Sequence, residues 1–258
     1  MLLNNDYGKR LSFSGPEAVS FKEQLFAYFK HIGLNPLVTA EWKRGIYQMF
    51  GVETLNLPDF GKSNYILVAN HISDFDAVIL GLLCPGIRII SKIGWATNEE
   101  LMGSLRLHYD IVGIYRDGDI EAMDEAAKAS ARQHNYNVTI GALKYLKDAN
   151  KGHHLLIFPQ GTISDINKNS AERVNPGFAK MAFAAKVNVV NIFTEYPEIG
   201  GSLRVVCGEP YVIADRNRDH RQDWLDSVIV LQNTLDNVRK PILSEKHTKN
   251  NNPSEPYF

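Results

Sequence analysis

The chain has 258 residues, of which 44% are hydrophobic and 22% are charged, a balance typical of a globular protein with one large domain or two small ones. Its formal net charge of -1 excludes the strong positive field that attracts nucleic acids, so we expect no nucleic-acid partner. The two cysteines, Cys84 and Cys207, are too few for a disulfide framework, and we predict no metal-ligand cluster.

The first predicted element is a pair of helices within residues 1–55. Apolar and aromatic residues recur at helical spacing from residue 17 to residue 50, with a break near Gly33 and Pro36. Such a pair can pack on the rest of the domain, rest on a membrane surface, or do both. No apolar run reaches the roughly 20 residues of a membrane-spanning helix, and no secretory signal is evident. We therefore expect a peripheral, monotopic protein at the cytoplasmic face of the membrane.

Strands and helices alternate over residues 56–243, which predicts an α/β domain. The run Tyr65–Ala69 is continuously apolar, as expected of a strand buried in a parallel sheet. The pattern predicts a mixed, mostly parallel central sheet flanked by helices, followed by a disordered polar tail at 244–258. Further strands are predicted at 87–90, 111–115, 154–158, 188–193 and 203–207, and helices from Ser73 or Asp74 to about Cys84 and near 98–107, 119–148, 176–187 and 220–240.

His71 lies between the first strand of this domain and the helix that follows it. Open α/β sheets usually bind their ligands at such a position. A histidine can take up a proton near neutral pH, and Asp76, five residues further on, can fold back to orient its ring. Ser73 and Asp76 also fit a capping box, in which the two residues only close the start of the helix. The residues themselves leave both interpretations open.

A second candidate loop follows the strand predicted at 154–158. It contains Gln160, Gly161 and Thr162, and a glycine turn of this kind can present backbone N–H groups to an anion while the threonine hydroxyl adds a donor. An ordinary turn is the alternative interpretation. Upstream, Arg116 follows another predicted strand, and its guanidinium suits bidentate capture of phosphate, although a solvated arginine at a strand end gives the same pattern.

The motif Asn-His-x-Ser-x-x-Asp from Asn70 to Asp76 and the motif Phe-Pro-Gln-Gly-Thr from Phe158 to Thr162 resemble two signatures of the glycerolipid acyltransferase family, which includes the lysophosphatidate acyltransferases. The apolar strand that ends at Arg116 is similar to a further motif of that family. The resemblance covers roughly residues 60–212, and two of its departures from the family pattern are substitutions within the motifs. Gln160 replaces a glutamate, and Asn191 replaces a proline.

The resemblance implies acyl transfer from an acyl thioester, on coenzyme A or acyl carrier protein, to a hydroxyl of lysophosphatidic acid. It implies that His71 is the base and that Asp76 is the carboxylate that orients it. The acyl thioester is the co-substrate, and neither a metal nor another cofactor is implied. The substrate-binding residues that it implies are Ser73, Lys92, Arg116, Gln160, Gly161 and Thr162.

Three alternatives to this reaction stay open, and Gln160 supports the first of them because glutamine has the size of glutamate but lacks its charge. The first is an acyltransferase that uses another lyso-lipid as acceptor. The second is a lipid-binding relative that keeps the fold without the catalytic rate. The third is hydrolysis of the thioester, with water as the acceptor.

Overall fold

The computed structural model describes residues 51–73, 76–84, 86–97, 109–148, 152–163, 174–196 and 203–249, and for residues 238–249 it describes only the course of the backbone. The two helices predicted between residues 17 and 50 lie outside these ranges, as does the helix predicted near 98–107.

The described residues form seven strands and six helices. The strands are β1 (Glu53–Leu55), β2 (Tyr65–Ala69), β3 (Ile87–Lys92), β4 (Asp110–Ile114), β5 (His154–Ile157), β6 (Asn188–Glu195) and β7 (Arg204–Cys207). The helices are α1 (Asp76–Leu83), α2 (Ile93–Ala96), α3 (Asp117–Glu121), α4 (Glu125–Leu146), α5 (Gly177–Ala185) and α6 (Arg221–Lys249).

The seven strands form one sheet in the order β1-β7-β6-β2-β5-β3-β4. Five neighbouring strands, from β6 to β4, are parallel, while β7 pairs with β6 in the antiparallel sense. The carboxyl ends of those five strands therefore meet at one edge of the sheet. This arrangement confirms the prediction of a mixed, mostly parallel sheet flanked by helices.

Apolar side chains cover both faces of the sheet. All five residues of β2 are buried, and its alternate side chains belong to two separate core clusters. One cluster includes Leu67 and the apolar side of α1, while the other includes Ile66 and apolar residues of α4, α5 and α6. Burying each large apolar side chain contributes about 1.5–3 kcal/mol before the loss of chain entropy is counted. The sheet is thus held rigidly from both sides beneath its carboxyl edge.

Strand β1 begins at Glu53, whereas the sequence predicts that the α/β domain starts at residue 56. It pairs in parallel with β7, so it runs opposite to the five central strands. Arg204 in β7 forms ion pairs with Glu53 in β1 (Nε to Oε2, 3.3 Å) and with Glu195 at the end of β6 (Nη1 to Oε2, 3.4 Å). Glu53 therefore lies at the carboxyl edge of the central strands, and the chain enters the sheet there.

Two helices also differ from the sequence prediction. The stretch predicted as one helix at 119–148 is divided into α3 and α4, because Asp124 caps α4 by accepting the Ala127 N–H at 2.8 Å. Helix α6 continues to Lys249, into a tail predicted to be disordered from residue 244. Within the described residues, no helix has both the length and the apolar character needed to cross a membrane.

Candidate active site

The candidate site lies along the carboxyl edge of the parallel strands. His71 follows β2, Gln160 follows β5, Lys92 ends β3 and Arg116 follows β4. These four strands are consecutive neighbours in the sheet, in the order β2-β5-β3-β4. Residues that are up to 89 positions apart in sequence, such as His71 and Gln160, are thereby brought into contact.

Asp76 is the structural centre of the His71 loop. Its Oδ2 atom lies 3.0 Å from Nδ1 of His71 and accepts the backbone N–H groups of Ile72 at 2.8 Å and Ser73 at 2.9 Å. The carboxylate is fully buried, and these three partners replace the water that it has lost. The geometry is compatible with either interpretation of the sequence, because Asp76 closes the loop before α1 and also contacts the imidazole.

The contact with Asp76 determines the tautomer of His71. A carboxylate oxygen only accepts, so Nδ1 of the neutral ring carries the hydrogen and Nε2 has an available lone pair. The ring also stacks on Phe158, the first residue after β5, with 4.3 Å between centroids and 23° between planes. The side chain is 19% exposed, so the imidazole is fixed in orientation but still accessible.

Gln160 joins the second loop to the first. Its side chain is buried, and Oε1 accepts the backbone N–H of His71 at 2.6 Å, a contact that the sequence did not suggest. Gly161 follows with a φ of 68°, a left-handed conformation that favours glycine, and its N–H donates to the carbonyl of Phe158 at 3.0 Å. An amide oxygen accepts this bond, so the contact with the His71 backbone does not require the charge of a glutamate.

Lys92 and Arg116 share one carboxylate. Asp119 places Oδ1 3.2 Å from Nζ of Lys92 and Oδ2 3.4 Å from Nε of Arg116. Desolvation acts to raise the pKa of Asp119, but the hydrogen bonds from both cations outweigh it and lower this pKa below its ordinary value. Arg116 also donates from Nη1 to the carbonyl of Gly161 at 3.1 Å, which ties this cluster to the Gln160 turn.

Two residues that sequence reasoning did not select fix the His71 loop to β6. Asn70 is fully buried; its Nδ2 donates to the Thr194 carbonyl at 2.9 Å, and its Oδ1 accepts the Thr194 N–H at 2.7 Å. The Thr194 hydroxyl lies 3.5 Å from Oδ1 of Asp76. The position of Asn70 inside the first motif was a signal for its importance, whereas nothing in the sequence distinguished Thr194 from its neighbours in β6.

The remaining candidates occupy less decisive positions. Ser73 contributes its backbone N–H to Asp76, while Thr162 is exposed just beyond Gln160, and their role in substrate binding stays a prediction. Both cysteines are buried, and burial raises the pKa of the Cys207 thiol to about 12, so it is not a ready nucleophile. Among the described residues, no group of three or more histidine, cysteine or acidic side chains is arranged to hold a metal ion.

Comparisons with known proteins were consistent with one another. The family model described as Acyltransferase matches residues 49–195, more than half of the chain. No curated protein sequence matches the chain. Among solved structures, the fold is similar to that of the 1-acyl-sn-glycerophosphate (LPA) acyltransferase PlsC from Thermotoga maritima, with a TM-score of 0.52, 15% sequence identity and 79% of each chain covered. The span of the family match includes every residue of the candidate site described above.

Proposed function

Because this chain belongs to the acyltransferase family, we propose that it transfers a fatty acyl group from an acyl thioester to a hydroxyl of lysophosphatidic acid in phospholipid synthesis. The thioester belongs to coenzyme A or to acyl carrier protein. The observation that carries the proposal is the 3.0 Å contact between Nδ1 of His71 and the buried carboxylate of Asp76 at the carboxyl edge of the sheet. That contact orients an imidazole whose Nε2 is suited to act as a general base.

In the proposed reaction, His71 Nε2 takes the proton of the acceptor hydroxyl while the hydroxyl oxygen attacks the thioester carbonyl carbon. Asp76 stabilises the imidazolium that forms and remains ionised itself. The tetrahedral intermediate then breaks its carbon–sulfur bond, and the departing thiolate takes the proton from His71 to give a free thiol. The acyl group passes directly between the substrates, so the products are an ester and a thiol without an acyl-enzyme.

We propose that Lys92 and Arg116 face the headgroup of the acceptor. Both are cations at the ends of neighbouring strands, and Arg116 contacts the turn that also contacts His71 through Gln160. In this proposal, an acceptor held at this end of the edge by its phosphate presents its hydroxyl to the imidazole. Such positioning lowers the barrier by making the attack effectively unimolecular. Gly161, Thr162 and Ser73 complete the proposed substrate contacts.

We further propose that the segment preceding β1, within the element predicted at 1–55, keeps the protein on the cytoplasmic face of the membrane. The proposal is supported by the aromatic residues that recur at helical spacing in this segment, and by a lipid acceptor that resides in the bilayer. Co-sedimentation of the full chain with vesicles of anionic phospholipid tests it. A protein that stays in the supernatant at every lipid concentration would exclude this localisation.

The decisive experiment mixes purified protein with labelled acyl thioesters and a panel of lyso-lipids, with products identified by mass spectrometry. We expect diacylated product from lysophosphatidic acid and a loss of roughly 10²–10⁴-fold in rate for His71→Gln, the usual contribution of a general base. His153→Gln is the matched control, because His153 stacks on Tyr145 at the opposite edge of the sheet. Equal rates for the two variants would remove His71 from the mechanism.

A second candidate is transfer to another lyso-lipid whose headgroup carries less negative charge. Two observations favour it: Gln160 is neutral, and Asp119 offsets part of the charge of Lys92 and Arg116. The same panel separates the alternatives. Product from a different lyso-lipid would support the second candidate, free fatty acid alone would indicate hydrolysis, and an unconsumed thioester would indicate a lipid-binding relative.

A further inference from the structure

The cation cluster consists of Lys92 and Arg116 at the ends of β3 and β4, and both cations contact the carboxylate of Asp119. We propose that Asp119 determines the charge preference for the acceptor: its carboxylate neutralises part of the cluster and weakens the binding of acceptors in proportion to the negative charge of their headgroup. The inference rests on the proposed function, because it assumes that Lys92 and Arg116 face that headgroup.

The contacts of Asp119 resemble those that a bound phosphate would make. Its two oxygens face two different cations, Oδ1 facing Lys92 at 3.2 Å and Oδ2 facing Arg116 at 3.4 Å. A phosphate group offers the same kind of charged acceptor oxygens to the same donors. When an anionic headgroup binds, the carboxylate of Asp119 either loses its contacts with Lys92 and Arg116 or remains beside the phosphate as a like charge.

The negative charge of Asp119 contributes little to the stability of the fold. The side chains of Lys92, Arg116 and Asp119 are 38%, 41% and 30% exposed, and exposed ion pairs contribute little to stability. Helix α3 is anchored by Ile120, which is its buried residue. An uncharged side chain of the same size at position 119 would therefore leave α3 in place.

The charges of the cluster indicate how strongly Asp119 weakens the binding of each acceptor. Two cations and one carboxylate leave a net charge of +1 on these three side chains. A phosphomonoester carries about 1.5 to 2 negative charges at neutral pH, whereas a phosphodiester carries about one. A like charge at about 4 Å in water changes affinity roughly fivefold per unit of headgroup charge, so the penalty is steepest for the phosphomonoester.

The test compares Asp119→Asn with Asp117→Asn, which removes the same charge from an exposed position of the same helix. KM is measured for three acceptors with one acyl chain: lysophosphatidic acid, lysophosphatidylglycerol and uncharged monoacylglycerol. For Asp119→Asn we expect KM to fall by about tenfold or more for the first and about fivefold for the second, with no change for the third. Asp117→Asn should leave all three within about twofold, because its charge is more exposed and better screened.

A rise in KM for lysophosphatidic acid, or an equal change for all three acceptors, would overturn the inference. Calorimetric titration with glycerol 3-phosphate separates this outcome from a failure of the proposed function, because it needs no turnover. If no acceptor is acylated, the proposed function fails, yet tighter binding of glycerol 3-phosphate by Asp119→Asn than by the wild type and the control still supports the assignment. Equal, weaker or undetectable binding by Asp119→Asn would refute it.

Discussion

At the scale of single residues, the site depends on side chains that each serve more than one partner. One oxygen of Asp76 contacts the His71 ring and two backbone N–H groups, so the loop and the imidazole are positioned by the same atom. A carboxylate suits this role because both of its oxygens only accept. The backbone of His71 is fixed in turn by Gln160, whose side chain reaches it from the next strand.

Replacing Gln160 by glutamate tests what the missing charge means. The carboxylate would still accept the His71 N–H, but it would add a buried negative charge beside the turn that Arg116 contacts. For Gln160→Glu we expect a change in kcat of less than about tenfold and a several-fold rise in KM for lysophosphatidic acid through like-charge repulsion. Gln133→Glu, the same change at an exposed position of α4, is the control.

Steady-state kinetics give kcat and KM for Gln160→Glu and for its control, Gln133→Glu. A rise in kcat by orders of magnitude for Gln160→Glu would mean that the native turn is catalytically impaired. That outcome would favour the interpretation of the chain as a lipid-binding relative.

At the scale of secondary structure elements, side-chain amides extend the sheet into the site. Asn70 follows the last residue of β2, and its amide exchanges two hydrogen bonds with the backbone of Thr194 in β6. The side chain thus continues the pairing of the two strands beyond the point where the β2 backbone turns away. Such a bond pair couples the strand to the His71 loop, which begins at the next residue.

Asn70→Ala should therefore affect both stability and catalysis. It leaves the buried N–H and carbonyl of Thr194 without partners, and each such group costs about 1–3 kcal/mol. We expect the free energy of unfolding in urea to fall by about 2–4 kcal/mol and kcat to fall because the His71 loop loses its anchor. Asn137→Ala, at an exposed position of α4, should change neither quantity. Unaltered unfolding of Asn70→Ala would disprove the coupling.

Element patterns in the sequence predicted the central strands well and the connections between them poorly. Strand β2 is a continuous apolar run, so its burial in a parallel sheet followed from composition alone, and β6 is mostly apolar on either side of Asn191. Strand β1 has only three residues, and no pattern of that length distinguishes a strand. The resemblance to acyltransferase motifs, carried by residues near β2 and β5, correctly indicated the family.

Contacts between segments that are far apart in the sequence could not be predicted from it. Asp119 reads as part of a solvated helix, and only the pairing of β3 with β4, which aligns Lys92 with Ile114, brings the lysine and Arg116 to one carboxylate. The bond between Gln160 and the His71 backbone likewise depends on β2 and β5 being neighbours. Strand order is a global property of the fold, and local patterns do not encode it directly.

At the scale of the whole molecule, the two edges of the sheet have different roles. The carboxyl edge holds the site, while the amino edge holds a packed cluster around His154, the first residue of β5. The His154 ring is buried, stacks on Tyr65 with 5.6 Å between centroids, and contacts the Phe60 carbonyl through Nε2 at 3.1 Å. Burial lowers the pKa of His154 to about 4, although the Phe60 carbonyl acts to raise it.

This depressed pKa predicts a loss of stability in mild acid. Above the ordinary pKa of 6.5, neither the folded nor the unfolded chain binds a proton at this histidine. Between pH 6.5 and about 4 only the unfolded chain does, so stability falls with pH through this window by at most about 3 kcal/mol and then levels off.

Urea unfolding of the wild type and His154→Gln at pH 7.5 and pH 4.5 measures this contribution. Glutamine can donate to Phe60 but does not titrate, so the variant should lose less stability than the wild type between the two pH values. The difference between the two proteins isolates His154 from the other histidines. Equal losses would show that this ring does not control acid stability.

The reversed direction of β1 has a consequence for where the reaction takes place. Glu53 joins Arg204 and Glu195 at the carboxyl edge, so the polypeptide that precedes residue 51 is tethered on the same side of the sheet as His71. Had β1 run with the central strands, that tether would attach behind the sheet, at the far edge. If the leading segment binds a bilayer, as proposed above, that bilayer is attached through the edge of the sheet that carries the imidazole, where the proposed lipid acceptor would react.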